Sequence, residues 1–219
     1  SLLVVLASIV AGQVIGHWLL GRPVEVLLEA ATVVFSLTVS AIFIAVTTVE
    51  RVLGGDVLLG LMTGRYRQPQ PETRAFLFAD IAGSTALAER IGDTRFHRFL
   101  DEVFTDLAEP IARHRGEIYR YVGDEVIVTW KLDRKTTGAR ALRCVLDCRA
   151  ALARRAAHEE AAYGAAPRLR YALHAGPVVT GQMGDIKREV VILGDTVNTA
   201  SRLETLAKQT GREIVVSEA

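Results

Sequence analysis

The sequence predicts an α+β fold, with a ferredoxin-like sheet of βαββαβ order and two apolar helices before it. Two observations lead to this prediction. After residue 73, short apolar strand-like runs alternate with longer segments of helical periodicity. Before residue 50, two long runs contain no Asp, Glu, Lys or Arg. A chain of 219 residues has room for one domain of ordinary size and such an appendage.

The two uncharged runs lie at residues 2–20 and 30–49, and each is long enough to cross the hydrocarbon core of a bilayer as a helix. We interpret residues 1–50 as a transmembrane hairpin; a pair of helices buried in a protein core and a cleaved signal peptide are the alternatives. Arg22 is the basic residue of the loop between the runs, whereas several arginines follow from Arg51 onward. The positive-inside rule then predicts a multi-pass protein of the cell (inner) membrane, with the lipid bilayer as a partner and the following domain in the cytoplasm.

Residues 51–73 are predicted to form a juxtamembrane helix and a linker, whose proline-rich end marks the start of the domain at 74–219. The chain starts within an apolar run and ends directly after a predicted strand, so we expect a longer working protein. Residues 51–219 hold 25 of the 26 basic and 22 of the 25 acidic residues, a near balance that gives no indication of nucleic acid as a partner. Cys144 and Cys148 have no His or second cysteine pair at metal-ligand spacing, which argues against zinc.

The domain is predicted to begin in the order strand–helix–strand–strand–helix–strand. The predicted strands are 74–81, 117–122, 125–132, 168–175, 178–183, 188–193 and 212–217. The predicted helices are 84–114, 139–158 and 196–208. In this order the first two strands run parallel through a right-handed crossover, and the third lies antiparallel between them. The end of the first strand and the hairpin between the second and third must therefore lie at the same edge of the sheet.

This topology brings two carboxylates together. Asp80 ends the first strand, and Asp124 lies in the Gly-Asp turn between the second and third strands. Asp124 alone would also suit an ordinary hairpin turn, but its coincidence with Asp80 favours a functional site. The turn Gly83-Ser84-Thr85 follows Asp80 and presents backbone N–H groups that suit a phosphate. Paired carboxylates beside such a turn predict two divalent ions and phosphoryl-transfer chemistry.

A third part of the predicted site lies on the helix at 196–208. Asn198 and Arg202 are four residues apart and therefore share one face of this helix. An amide and a guanidinium at this spacing can hold a ribose or a phosphate and stabilise charge on a transferring phosphoryl group. By pattern alone, a solvated helix face is the better explanation of the two residues.

Four motifs follow one another along the domain. They are Phe78-Ala-Asp-Ile-Ala-Gly-Ser-Thr85, Tyr121-Val-Gly-Asp-Glu-Val126, Leu173-His-Ala-Gly-Pro-Val178 and Leu193-Gly-Asp-Thr-Val-Asn-Thr-Ala-Ser-Arg202. With these motifs, residues 74–219 resemble a class III nucleotidyl cyclase, and the chain is most similar to the bacterial membrane-anchored adenylate cyclases. The resemblance implies an enzyme that converts ATP to 3′,5′-cyclic AMP and pyrophosphate.

The resemblance also implies a role for each site residue. Asp80, Asp124 and the backbone carbonyl of Ile81 would hold two divalent cations, Mg²⁺ or Mn²⁺. One ion would activate the ribose 3′-hydroxyl for in-line attack, and the other would hold the triphosphate. Asn198 would orient the ribose, and Arg202 would stabilise the pentavalent phosphorus. In this family the metal ligands and the Asn–Arg pair come from different subunits, which implies a homodimer with two shared sites.

Two positions that concern the base depart from the family pattern. Adenylate cyclases usually have Lys where this chain has Arg120, and Asp or Thr where it has Val191. Arg120 can donate to adenine N1, but Val191 cannot accept a hydrogen bond from the 6-amino group. A guanylate or relaxed-specificity cyclase and a nucleotide-binding sensor without turnover are therefore alternatives. A diguanylate cyclase is a further alternative, because Gly123-Asp-Glu125 resembles the signature of that class. The family's basic residue for the triphosphate is expected beyond Ala219.

Overall fold

A computed structural model of the chain describes residues 10–12, 14–15, 18, 30–53, 64, 66–133, 138–185 and 188–218. The chain forms two compact units, Ser1–Thr63 and Gly64–Ala219. In the first unit the helix α1 spans Ala30–Leu53. Hydroxyl side chains of α1 bond to the backbone of the preceding turn, as where Thr38 Oγ1 donates to the carbonyl of Val34 at 2.7 Å.

The predicted transmembrane hairpin is not supported. In the residue ranges given above, no helix is both long enough and apolar enough to cross a membrane. The predicted multi-pass location in the cell membrane is therefore wrong, and the orientation argument built on Arg51 no longer applies. Uncharged apolar runs are common to bilayer-spanning helices and to helices buried in protein, and composition alone does not separate the two. Most of the first predicted run, and residues 54–63 of the predicted juxtamembrane helix, lie outside the described residues.

The second unit alternates strands and helices. Its strands are β1 (Gln70–Ile81), β2 (Glu117–Val122), β3 (Glu125–Lys131), β4 (Leu169–Met183), β5 (Glu189–Leu193) and β6 (Ile214–Val216). Its helices are α2 (Ser84–Ile91), α3 (Asp93–Arg113), α4 (Gly138–Tyr163) and α5 (Asp195–Thr210). The strands form a sheet in the order β2-β3-β1-β4-β5, and β6 pairs with β4 in parallel. Since β3 is antiparallel to both β1 and β2, the predicted arrangement of the first three strands is confirmed.

The sheet carries a hydrophobic core on each face. On one face α3 and α4 pack against the sheet, and α3 contributes the apolar residues expected from its helical spacing: Phe99, Val103, Leu107 and Ile111. On the other face, a smaller cluster joins Phe76 and Phe78 of β1 to Ala200 of α5. Successive residues of β1 serve opposite faces because side chains alternate along a strand. Each large side chain buried in this way contributes roughly 2 kcal/mol, so α5 is held firmly on its own face of the sheet.

Two element boundaries differ from the prediction. The predicted helix 84–114 is divided at Gly92, whose φ of 82° lies in the left-handed region that ends a helix. The predicted strands 168–175 and 178–183 form the single strand β4, because Gly176 and its neighbours continue the pairing with β1 instead of turning. A Cβ atom at Gly176 would lie 2.6 Å from Thr196 Oγ1, so glycine allows the first turn of α5 to approach the strand.

A buried ionic network holds β1 against the neighbouring strands. Arg74 on β1 is 3% exposed and donates to Glu72 at 2.9 Å and to Glu117 of β2 at 2.8 Å. Lys131 of β3 also contacts Glu72, at 2.5 Å. Burial raises the pKa of Glu72, but hydrogen bonds from Lys131 and Arg74 outweigh burial, and the pKa lies below its usual value. The charged groups therefore compensate one another away from water.

Candidate nucleotide and metal site

The candidate site lies where β1 ends beside the β2–β3 hairpin. Asp80 is the register partner of Glu125, and the backbone N–H of Ile81 donates to the carbonyl of Asp124 at 3.3 Å. Asp80 is 3% exposed, and Asp124 is half-buried. The structure therefore brings together the two carboxylates whose proximity the sheet topology predicts, because β3 leads directly from the hairpin into its pairing with β1.

Two cations flank Asp80. Lys208 Nζ of α5 lies 3.1 Å from Asp80 Oδ1, and Arg170 Nη1 of β4 lies 3.3 Å from Asp80 Oδ2. Burial raises the pKa of the Asp80 carboxyl group, and the hydrogen bond from Lys208 opposes this rise without cancelling it. The charges of Asp124 and Glu204 raise the pKa further. The ionised form of Asp80 therefore depends on neighbouring positive charge.

Two further carboxylates, Glu125 and Glu204, extend this acidic cluster. Burial raises the pKa of Glu125 to about 7, and the charges of Glu204 and Asp80 add to this effect. Glu204 is 7% exposed and contacts Lys208 Nζ at 2.5 Å. When all groups are ionised, the four carboxylates exceed the two flanking cations by two charges. A divalent cation would neutralise this excess.

Sequence reasoning alone did not identify Arg170, Glu125, Glu204 or Lys208. The i,i+4 spacing of Glu204 and Lys208 indicates a shared helix face, and Glu125 directly follows a predicted metal ligand. Neither signal tells which strand end these side chains meet. Arg170 and Lys208 supply two cations at Asp80, in addition to the basic residue that the family resemblance implies beyond Ala219.

The turn after β1 has the form that the phosphate prediction requires. Gly83 precedes α2 with a φ of 77°, a left-handed conformation that glycine adopts at little cost. Gly83 and Thr85 are exposed, and Ser84 is half-buried. The first backbone N–H groups of a helix lack intrahelical partners, and no side chain caps α2 within the described residues. The start of α2 therefore offers donors that suit an anion next to Asp80.

The helix α5 presents its predicted functional residues away from Asp80. Asn198 and Arg202 are exposed, whereas Glu204 and Lys208 contact one another and Lys208 reaches Asp80. Successive residues are about 100° apart around a helix, so Arg202 and Glu204 point to nearly opposite sides. Within one chain, the Asn–Arg pair is therefore not brought to the carboxylates that are predicted to bind metal.

The two predicted base-contacting positions lie on β2 and β5. These strands are not paired in the sheet, but side chains of β2 contact β5 near Tyr119. The Tyr119 hydroxyl accepts a hydrogen bond from the backbone N–H of Ile192 at 3.4 Å. Arg120 Cζ lies 5.5 Å from the centre of the Tyr119 ring, and Arg120 Nη2 lies 3.6 Å from Glu189 Oε2. Val191 is half-buried on β5, two residues after Glu189. The carboxylate of Glu189 therefore lies close to Val191, whose own side chain has no hydrogen-bond acceptor.

The residues at the end of β1 fit a hard divalent cation. Mg²⁺ and Mn²⁺ prefer carboxylate and carbonyl oxygens, and Asp80, Asp124 and the Ile81 carbonyl would supply such ligands. The excess of negative charge from the neighbouring carboxylates favours a cation at this position. The predicted cofactors are therefore compatible with the chemistry of the cluster.

A second group of possible metal ligands lies elsewhere in the described part of the domain. Glu102 of α3 and His158 and Glu159 of α4 have ligand atoms within 4.8 Å of one another. The Arg155 side chain lies 3.6 Å from Glu102 and 3.4 Å from Glu159. Because a guanidinium already lies between the two glutamates, we interpret this group as an ionic contact between α3 and α4.

The fold and the strand-end cluster agree with a known protein family. The family of adenylate and guanylate cyclase catalytic domains matches residues 67–219. The chain belongs to this family, and the resemblance to class III nucleotidyl cyclases predicted from the sequence is confirmed.

The most informative relatives are bacterial adenylate cyclases. Adenylate cyclase 2 of Rhizobium meliloti is 44% identical over 184 residues, which cover 84% of this chain and 51% of that protein. Adenylate cyclase 1 of the same organism is 32% identical over 65% of this chain and 22% of that protein. The adenylate cyclase of Anabaena cylindrica is 31% identical over 65% of this chain and 29% of that protein. This chain therefore spans about half the length of the first relative and less than a third of the other two.

Solved structures support the fold. A bacterial light-regulated adenylyl cyclase superposes with a TM-score of 0.73 at 24% identity, over 86% of this chain and 56% of that chain. The guanylate cyclase domain of a Catenaria anguillulae protein, solved in complex with GTP, gives a TM-score of 0.54 at 24% identity, over 62% of this chain and 74% of that chain. An adenylyl cyclase from P. aeruginosa gives a TM-score of 0.53 at 25% identity, over 64% of this chain and 74% of that chain.

Proposed function

We propose that this chain is the catalytic part of an adenylate cyclase that converts ATP to 3′,5′-cyclic AMP and pyrophosphate. The observation that carries the proposal is the cluster at the end of β1, where Asp80 and Asp124 lie together beside the Gly83 turn and two cations. A cluster of this kind suits a cation-bound polyphosphate. The 44% identity to an adenylate cyclase favours ATP as the nucleotide.

The residues of the chain divide the chemistry among them. Divalent cations held by Asp80, Asp124 and the Ile81 carbonyl would lower the pKa of the ribose 3′-hydroxyl and neutralise the triphosphate. The 3′-hydroxyl gives its proton to solvent, and its oxygen forms a bond to the α-phosphorus. The bond from this phosphorus to the oxygen bridging to the β-phosphate breaks, and pyrophosphate leaves. The backbone N–H groups from Gly83 to Thr85 bind the phosphates, and Arg170 adds positive charge beside them.

We further propose that the working unit is a homodimer. Asn198 and Arg202 point away from Asp80 of their own chain, as described above, so they fit a role in the site of a second copy. There Asn198 orients the ribose, and Arg202 stabilises the charge that develops on the pentavalent phosphorus. Each dimer then has two equivalent sites, since a two-fold axis repeats every contact.

A second candidate function is a cyclase of relaxed base specificity. It is favoured by Val191, which has no acceptor for the adenine 6-amino group. Arg120 can donate either to adenine N1 or to guanine O6, and the carboxylate beside it, Glu189, can accept from an amino group of either base. The local chemistry therefore permits both purines.

The test is an assay of the purified full chain with Mn²⁺ and either ATP or GTP, with products identified by mass spectrometry. We expect 3′,5′-cyclic AMP from ATP at a rate well above that of the cyclic product from GTP. The Asp80→Ala variant should form neither product, because it loses a ligand of the cations. Comparable rates with both nucleotides would favour the second candidate, and bound but unconverted ATP would refute both.

A further inference from the structure

We propose that Lys208 occupies a cation position beside Asp80 and must release Asp80, while keeping its contact with Glu204, before a divalent cation binds. Lys208 is in this view a positioning residue that sets the metal affinity of the site. The inference rests on the proposed function, because it requires Asp80 to be a metal ligand.

The contacts of Lys208 carry the first step of the argument. Lys208 Nζ lies 3.1 Å from Asp80 Oδ1 and 2.5 Å from Glu204 Oε1. The other oxygen of Asp80 faces Arg170 at 3.3 Å. Both oxygens of the buried Asp80 carboxylate therefore already have a positive partner, and a metal ion needs at least one of them.

The positive charge of Lys208 opposes the binding of a divalent cation to the same carboxylate. A divalent cation bound to a carboxylate oxygen lies about 2.0–2.6 Å from it. An ammonium that stayed 3.1 Å from the same oxygen would be within a few ångströms of the ion, where like charges repel strongly in a poorly solvated site. A divalent cation therefore replaces the Lys208 ammonium at Asp80. The loss of the Lys208–Asp80 contact lowers the affinity of the site for the metal.

Glu204 allows Lys208 to leave Asp80 at little cost. Glu204 is one helical turn before Lys208 on α5 and already contacts its ammonium. Glu204 is 7% exposed, so its carboxylate also requires a positive partner. When Lys208 leaves Asp80, it keeps the partner on its own helix and no buried carboxylate is left without a cation.

Direct measurement of Mn²⁺ binding by electron paramagnetic resonance tests the inference without nucleotide or turnover. The Lys208→Met variant keeps the apolar stem but removes the charge, and we expect it to bind Mn²⁺ about tenfold more tightly. Lys131→Met is the matched control, because Lys131 has similar exposure and also contacts a buried carboxylate, Glu72, away from the site. This control should bind Mn²⁺ like the original chain, although it loses the same net charge.

A second measurement uses the unaltered chain and does not depend on how the variants fold. Labelling of lysine amines by an N-hydroxysuccinimide ester, followed by mass spectrometry, reports Lys208 and Lys131 in one sample. We expect Mn²⁺ to increase the labelling rate of Lys208, because its contact with Asp80 is lost, and to leave Lys131 unchanged. An unchanged rate at Lys208 would overturn the proposal even if the Lys208→Met variant did not fold.

The outcomes separate this inference from the proposed function. If the original chain binds Mn²⁺ and Asp80→Ala abolishes binding, the metal site stands. Equal or weaker Mn²⁺ binding by folded Lys208→Met would then overturn the role of Lys208 alone. If the original chain binds no Mn²⁺, or Asp80→Ala binds it equally well, both the metal site and the inference fail.

Discussion

Replacing Glu125 with Gln should remove part of the pH dependence of the unfolding free energy. Burial raises the pKa of Glu125 from 4.5 to about 7, and Glu204 and Asp80 add to the rise. Below pH 4.5 the carboxyl group is protonated in both the folded and the unfolded chain. Between pH 4.5 and about 7 the folded chain retains a proton that the unfolded chain has lost, so stability falls as pH rises through this range.

The magnitude follows from the same shift. A difference between pKa values of 4.5 and about 7 corresponds to roughly 3 kcal/mol of unfolding free energy. Because Glu125 is only half-buried, solvent screens part of this effect, and we expect about 1–2 kcal/mol.

Urea unfolding at about pH 5 and about pH 8 in the presence of EDTA measures the effect. The unfolding free energy of the original chain should fall from about pH 5 to about pH 8. In Glu125→Gln this fall should be smaller by about 1–2 kcal/mol. Glu160→Gln, an exposed change on α4, should behave like the original chain. An identical pH dependence in Glu125→Gln and the original chain would refute the idea that burial, together with the neighbouring carboxylates, raises the pKa of Glu125.

Two other predictions concern the architecture that supports the site. Arg74→Ala should lower the unfolding free energy by about 3 kcal/mol, because it leaves the buried Glu72 short of a partner; Arg113→Ala, which removes an exposed ion pair, should leave urea unfolding unchanged. Gly176→Ala should lower the rate of cyclic AMP formation about tenfold or more, because its Cβ displaces Thr196 and with it the start of α5. Adding Thr196→Ala to Gly176→Ala removes the clashing atoms and should restore part of that rate. An unaffected rate in Gly176→Ala alone would show that catalysis tolerates the displacement of α5.

The sequence predicts the part of the site that depends on strand order. Once the βαββ order is recognised, antiparallel pairing of β3 with β1 brings Asp124 next to Asp80, and no side-chain detail is required. The turn at Gly83 is also local, since a left-handed glycine before a helix depends on neighbouring residues alone. These features follow from short-range rules and from topology.

The contacts of α5 could not be predicted in the same way. Lys208 contacts both Asp80 and Glu204 because Ala200 and the small cluster on that face fix the rotation of α5 against the sheet. The sequence shows which residues share a helix face but not which strand end that face meets. Arg170 is the second residue of β4 and has no local signal of a functional role, and its contact with Asp80 depends on the β1–β4 register.

The membrane prediction failed for a different reason. Residues 30–49 lack charged side chains, but the absence of charge does not by itself establish a membrane span, and no helix of the described ranges has the length and hydropathy of one. The division of the predicted helix 84–114 at Gly92 was visible in the sequence as a glycine, yet isolated glycines also occur within helices.

If two chains combine their residues into one site, a mixture of two inactive variants should regain activity. Asp80→Ala removes a metal ligand, and Arg202→Ala removes the guanidinium that serves the second chain, so each homodimer should be inactive. In an equimolar mixture, half of the dimers are heterodimers with one intact site each, and cyclic AMP formation should recover to about a quarter of the original rate. If heterodimers form and no activity returns, or if Arg202→Ala alone remains active, the shared site is contradicted.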